Sequence, residues 1–213
     1  MIQKIKNNKL IFIIIILLLI VISIITKKII FKEELLMDKL AYDILVTKLR
    51  NPTITKFMKL VTKLSNTKFI IAASLILILM FYIRKKKKIS ILIVINLLFI
   101  VLLNQTIKMI IKRERPTGFR LIEMTGYSFP SGHAMVSMAF YGLLIYLCKH
   151  LITNKVIRRL LITLNIIIIL LIGISRVYLG VHYLSDVITG YSISIIYLLI
   201  LAKLLKKYKV IIP

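Results

Sequence analysis

The chain is short of acid and nearly without cysteine. Only 7 of its 213 residues are Asp or Glu, against 32 Lys and Arg, which leaves a formal net charge of +25. The single cysteine, Cys148, excludes an intrachain disulfide and makes a cysteine-based metal site untenable. No internal repeat and no low-complexity linker interrupts the sequence, so it reads as one domain over 1–213. After the first apolar run no small-residue cleavage site follows, only "KKIIFKEE", so that run is expected to be a span and not a removable signal peptide.

What is present is oil. Sixty per cent of the residues are hydrophobic and the mean hydropathy is +0.97, well above a soluble domain. Six apolar runs stand out: Leu10–Thr26, Phe69–Ile83, Ile89–Ile107, Ser131–Cys148, Leu160–Ile174 and a last one from about His182 to before Lys203. Some are shorter than the roughly 20 residues that a span needs. Flanking lysines extend them by snorkelling to the interface. The expected fold is therefore all-α: a polytopic bundle of six transmembrane helices. The basic charges lie between the apolar runs, so they answer to membrane topology and anionic lipid, and nucleic acid is not expected as a partner.

The charges also orient the bundle. With the N-terminus inside, the inner segments carry 16 basic residues and no acid, and all seven acids fall outside or at the outer end of the sixth span. This predicts cytoplasmic N- and C-termini in a cell membrane. The long outer segment between the first two spans has Phe57, Leu60, Val61 and Leu64 at helical spacing, with Lys56, Lys59 and Lys63 on another face. Residues 53–65 form either an interfacial amphipathic helix or a solvated helix covering the bundle. Asn51-Pro52 marks the turn before it.

This topology collects three polar segments on the outer face: "KMIIKRERP" (Lys108–Pro116), "PSGH" (Pro130–His133) and "SRVYLGVHYLSD" (Ser175–Asp186). Ionisable groups near a bilayer are expensive and usually functional. Lys108, Arg115 and Arg176 suit phosphate oxygens. Ser131 can cap the fourth span and Gly132 permits close backbone approach, so the N–H groups of that first turn suit an anion. His182 and Asp186, four apart, share a face on a helix, where the carboxylate fixes the imidazole tautomer. Two histidines at a phosphate site suggest a nucleophile and a general acid. His150, Tyr178 and Tyr183 read as interfacial residues, Lys112 and Arg113 as solvated or headgroup-binding charges, and Glu114 and Glu123 as no more than salt-bridge partners.

Taken together, the three segments resemble the type 2 phosphatidic acid phosphatase superfamily, which also contains the vanadium haloperoxidases. That family shows Lys, six residues, Arg-Pro; Pro-Ser-Gly-His; and Ser-Arg, five residues, His, three residues, Asp. Here all eleven positions match, from Lys108 to Asp186. The resemblance implies a phosphohistidine on His182, oriented by Asp186, with His133 protonating the leaving oxygen. It implies that Lys108, Arg115, Arg176, Ser131 and the Gly132 N–H hold the phosphoryl oxygens. It further implies a lipid phosphate or diphosphate phosphatase that needs no metal and no cofactor, acting at the extracytoplasmic leaflet. Its partners are then a lipid phosphate substrate and membrane lipids, with no obligate protein partner. Undecaprenyl diphosphate, liberated on the outer face, is slightly favoured over phosphatidic acid and phosphatidylglycerol phosphate. The competing readings are a haloperoxidase, against which six apolar runs argue, and a non-catalytic bundle or transporter that binds anionic headgroups.

Overall fold

The computed structural model describes residues 2–208, and among these every regular element is helical. The order is α1 (Ile2–Ile30), α2 (Leu36–Tyr42), a π-helical stretch (Asp43–Lys48), α3 (Pro52–Lys63), α4 (Thr67–Ile83), α5 (Lys87–Ile111), α6 (Gly132–Leu151), α7 (Lys155–Tyr178) and α8 (Leu184–Lys207). Helices α5 to α8 and Lys9–Ile30 of α1 are each long and apolar enough to cross a membrane. Helix α4 has 17 residues, about 26 Å of rise against a hydrocarbon core of about 30 Å, and α3 bends away from it by 46°. Among the described residues five helices thus qualify as spans on their own, and the sixth is α4 when it is counted together with the bent α3, flanked by Lys68 and by Arg84–Lys88.

Burial explains the layout. Helix α6 is the hub and packs on α5, α7 and α8. Leu92 and Ile93 of α5 meet Leu143 and Leu147 of α6 and Leu205 of α8 in one apolar cluster. Phe140 and Tyr141 of α6 meet Ile169 and Ile172 of α7 in another. Helix α1 lies against α8 and leaves Leu10, Phe12, Ile13 and Leu17 exposed, as befits a lipid-facing rod whose outside solvent is as apolar as its side chains.

The segment between α1 and α4 is where the structure departs from the expected apolar face. Asn51 caps α3 by accepting from the Ile54 N–H at 2.9 Å, with Pro52 at the first helical position. The face turned inward carries Ile54, Met58, Val61 and Thr62, while Phe57 and Leu60 point outward. Helix α3 has two apolar stripes. One docks on α7 and so covers the bundle, and the other, with Phe57 and Leu60, is exposed. Tyr178, expected in an interfacial belt, is instead 1% exposed and ties α3 down. Its hydroxyl pairs with Thr55 Oγ1 at 2.9 Å, accepts from the Asn51 N–H and donates to the Asn51 carbonyl.

Candidate active site

The three polar segments meet at one end of the bundle. Helix α5 delivers Lys108 from its last turn, and Lys112, in the left-handed region at φ 51°, ends it. The loop that follows carries Arg113 and Arg115 back over the bundle. Its anchor is Arg115: Nε donates to the Gly126 carbonyl at 2.9 Å, and Nη2 donates to the Thr125 and Tyr127 carbonyls. Lys108 Nζ also donates to the Tyr127 carbonyl. Ser131 caps α6 as expected, its Oγ accepting from the Ala134 N–H, and its own N–H donates to the Asp186 carbonyl at 3.1 Å. Gly132 opens the helix against Asn104, whose Oδ1 would lie 3.0 Å from an added Cβ. This close approach explains the missing side chain.

The turn after α7 needs Gly180 at φ +71°, and an added Cβ there would also strike the Phe119 carbonyl. That turn ends at His182, which lies just before α8 and not on it. The expectation of a shared helical face is corrected accordingly, yet the pair still forms. Asp186 sits in the first turn of α8, where Oδ2 accepts from the Tyr183 N–H at 3.0 Å and meets His182 Nδ1 at 3.2 Å. Both residues are buried, at 3% and 0% exposure.

The neighbours of His182 assign its tautomer. Arg115 Nη1 donates to the Val181 carbonyl at 2.8 Å and lies 3.2 Å from His182 Nε2. A guanidinium has no acceptor, so Nε2 must present its lone pair. Nδ1 then carries the proton and donates it to Asp186. Burial pushes the His182 imidazole well below its ordinary pKa, and the Arg176, Arg115 and Lys108 cations push the same way. The ring is therefore neutral at physiological pH, with a bare Nε2.

Arg176, on the last turn of α7, is 1% exposed. Its Nη1 donates to Thr62 Oγ1 of α3 at 2.7 Å, whereas Nε and Nη2 meet no acceptor among the described residues. A buried guanidinium with two unpaired donors is suited to an anion. His133, one residue into α6, lies within electrostatic range of His182, and its Nε2 meets Asn66 Oδ1 at 3.0 Å. Ser65, beside Asn66, donates to the His133 carbonyl at 3.0 Å.

All eight residues singled out in the sequence thus come together. Sequence reading missed Asp38, Thr62, Ser65, Asn66 and Ser185, and it misplaced Arg113. That arginine is largely buried and bonded to Asp186 Oδ1 at 2.7 Å and to Asp38 Oδ2 at 2.9 Å. Burial works against its charge, but the Asp186 and Asp38 carboxylates outweigh it and raise its pKa. The ring of Tyr183 stacks under it at 3.9 Å. Among the described residues no group of three or more His, Cys, Asp or Glu stands in metal-binding proximity.

Comparison with known proteins places the family and the fold. The PAP2 superfamily model matches residues 91–209. Phosphatidylglycerophosphatase B of Bacillus subtilis (strain 168) is 40% identical over 96 residues, which is 45% of this chain and 47% of that protein. The match thus spans about half the length of this curated relative. The crystal structure of a transmembrane PAP2-type phosphatidylglycerolphosphate phosphatase from Bacillus subtilis superimposes with a TM-score of 0.79 at 29% identity, covering 91% of this chain and 96% of that one.

Proposed function

The chain belongs to the PAP2 superfamily, and on that premise we propose that it is an integral-membrane lipid phosphatase that works through a phosphohistidine on His182. The observation that carries this reading is a neutral His182, its Nε2 unprotonated and facing the Arg115 guanidinium, in one site with the unpaired buried donors of Arg176. Nε2 attacks phosphorus while Asp186 holds the Nδ1 proton and stabilises the imidazolium. Arg176, Lys108 and Arg115, with the Ser131 side chain and the N–H of Gly132, carry the phosphoryl oxygens as charge builds. His133 keeps its Nε2–H on Asn66, so it serves as general acid only after the phosphate dianion has brought a second proton onto Nδ1; that proton goes to the leaving oxygen as the P–O bond breaks and is recovered from the water that attacks the phosphohistidine. Fixed cations and N–H dipoles supply the electrostatic stabilisation, and the reaction needs no metal.

Phosphatidylglycerol phosphate is the first candidate substrate, because both relatives are named for it. Undecaprenyl diphosphate is the second, favoured by a charge pattern that puts the site on the extracytoplasmic side. The test is phosphate release by the purified protein in detergent from phosphatidylglycerol phosphate, undecaprenyl diphosphate and phosphatidic acid. Release should be fastest from the first, should persist in excess chelator and should be inhibited by vanadate, which adopts the trigonal-bipyramidal shape of the transition state. Activity lost in chelator and restored by Mg²⁺ would remove the metal-free mechanism. No release from any of the three would leave a protein that only binds anionic headgroups.

A further inference from the structure

Asp186 has two carboxylate oxygens, and the proposed mechanism uses one. Oδ2 serves His182 and the Tyr183 N–H. Oδ1, in a site with no exposure at all, is held by Arg113 alone among side chains. The same guanidinium reaches past Asp186 with its other nitrogen to Asp38 of α2. Asp38 is itself 8% exposed and closes a ring. Its Oδ1 accepts from the Ser185 N–H and its Oδ2 from the Ser185 hydroxyl, both at 2.7 Å, and that hydroxyl accepts from Arg113 Nη1 at 2.7 Å. Ser185 and Asp186 are neighbours in the first turn of α8, so the ring clamps the backbone as well as the carboxylate.

Resting on the phosphatase reading, we infer that Arg113 and Asp38 are positioning residues that fix and keep ionised the carboxylate of Asp186, and through it the His182 tautomer. The physical argument is one of satisfaction and charge. A buried carboxylate oxygen without a donor is costly and recruits a proton. Arg113 supplies both the donor and the countercharge. A lone buried Arg113 would in turn be aimed by nothing, and Asp38 aims it while the Tyr183 ring supports it from below. The charged groups facing Asp186 are Arg113, Lys108 and Arg115, with His182 beside it and Asp38 across the guanidinium. The short helix α2, which no sequence signal connects to the site, has the task of bringing Asp38 to within 2.7 Å of α8.

The experiment is a mutant cycle in kcat on the lipid substrate, using Arg113→Gln, Asp38→Asn, Asp186→Asn and the pairs that combine the first two with the third. Each of Arg113→Gln and Asp38→Asn should lower kcat by about 10–100-fold, as loss of an outer-shell partner does elsewhere. KM and the inhibition constant of inorganic phosphate should stay within about threefold, because the phosphate-holding cations are untouched. Added to Asp186→Asn, neither should lower kcat further, since a residue that acts through Asp186 has nothing left to act on. The acid limb of the Arg113→Gln profile should move to higher pH, with part of the activity regained in alkali, whereas a purely structural lesion would depress all pH values alike. Should Arg113→Gln fail to fold, the Ser185→Ala and Asp186→Asn cycle poses the same question with a few-fold effect. Losses that multiply in the double variants, or an unchanged kcat in the singles, would overturn the assignment. Nitrogen-15 NMR of the chain's three histidines separates this inference from the function it rests on. The wild type should show His182 protonated at Nδ1 only, and Arg113→Gln should disturb that signature even if no lipid phosphate proved to be a substrate. An undisturbed tautomer would overturn the positioning role whatever the enzyme hydrolyses.

Discussion

At His182 one donor and one acceptor decide what the imidazole can do: Arg115 faces Nε2 with an N–H and so keeps it unprotonated, and the Asp186 carboxylate accepts the Nδ1 proton. Its variants should behave differently from those of His133. His182→Ala removes the proposed nucleophile, so hydrolysis should vanish for every substrate. His133→Ala removes only the proposed proton donor, and its cost should follow the leaving group. A fall of about 10²–10⁴-fold is expected for a lipid alkoxide and a much smaller one for p-nitrophenyl phosphate, whose phenolate leaves unprotonated. Comparing both variants on both substrates checks this, with folding verified by gel filtration in detergent. An equal loss on phenol and lipid would defeat the acid role of His133. The residues proposed for this chemistry were legible because three short motifs, each with fixed internal spacing, carry them. Asp38, Thr62 and Asn66 were not, because their contacts bridge 147, 114 and 67 residues and leave no local periodicity. Arg113 was misread for a related reason: one arginine in "KRER" looks like any other until the fold buries it.

At the scale of elements, the spans were legible from runs of Ile and Leu, although their ends were not. Each helix runs past its uncharged stretch, as α7 does by taking in Lys155, Arg158 and Arg159 at one end and Arg176 at the other. An apolar count stops at the first charge, whereas backbone hydrogen bonding does not. Helix α3 shows the limit of periodicity more sharply, since with two apolar stripes the pattern alone could not say which one docks. The hydroxyl of Tyr178 makes that choice firm, and Tyr178→Phe should undo part of it. The change leaves the Asn51 N–H and Thr55 without their partner, at about 1–2 kcal/mol. Local opening of α3 should then rise by roughly tenfold, which limited trypsin digestion at the exposed Lys56, Lys59 and Lys63 can report in a protein otherwise melting near the wild-type temperature. Cleavage at an unaltered rate would mean that Ile54, Met58 and Val61 hold the helix without it.

For the molecule as a whole, the charge bias predicts a sidedness that can be measured. In a Cys148→Ser background, a cysteine at Thr117, on the exposed loop between α5 and α6, should react with an impermeant thiol reagent in intact cells. One at Lys86, in the basic turn between α4 and α5, should be silent until the membrane is opened. The reverse pattern would invert the bundle and place the site on the cytoplasmic side.

Arg176, Lys108 and Arg115 surround one site whose only fully buried carboxylate is Asp186. Such an excess of positive charge weakens the fold that contains it, and any anion that binds the native state and not the unfolded chain relieves the strain by mass action. The durability of this protein in solution should therefore be set by the buffer salt. At 100 times its dissociation constant, inorganic phosphate adds about 2.7 kcal/mol, or roughly 5–10 °C in melting temperature for a chain of this size, while chloride at equal ionic strength adds far less. Arg176→Met, which replaces the most buried of the three cations with an apolar chain, should melt higher than the wild type in chloride and lose most of the response to phosphate. Two melting curves in two buffers decide the matter: equal shifts in both proteins would show that the reservoir of repulsion lies elsewhere.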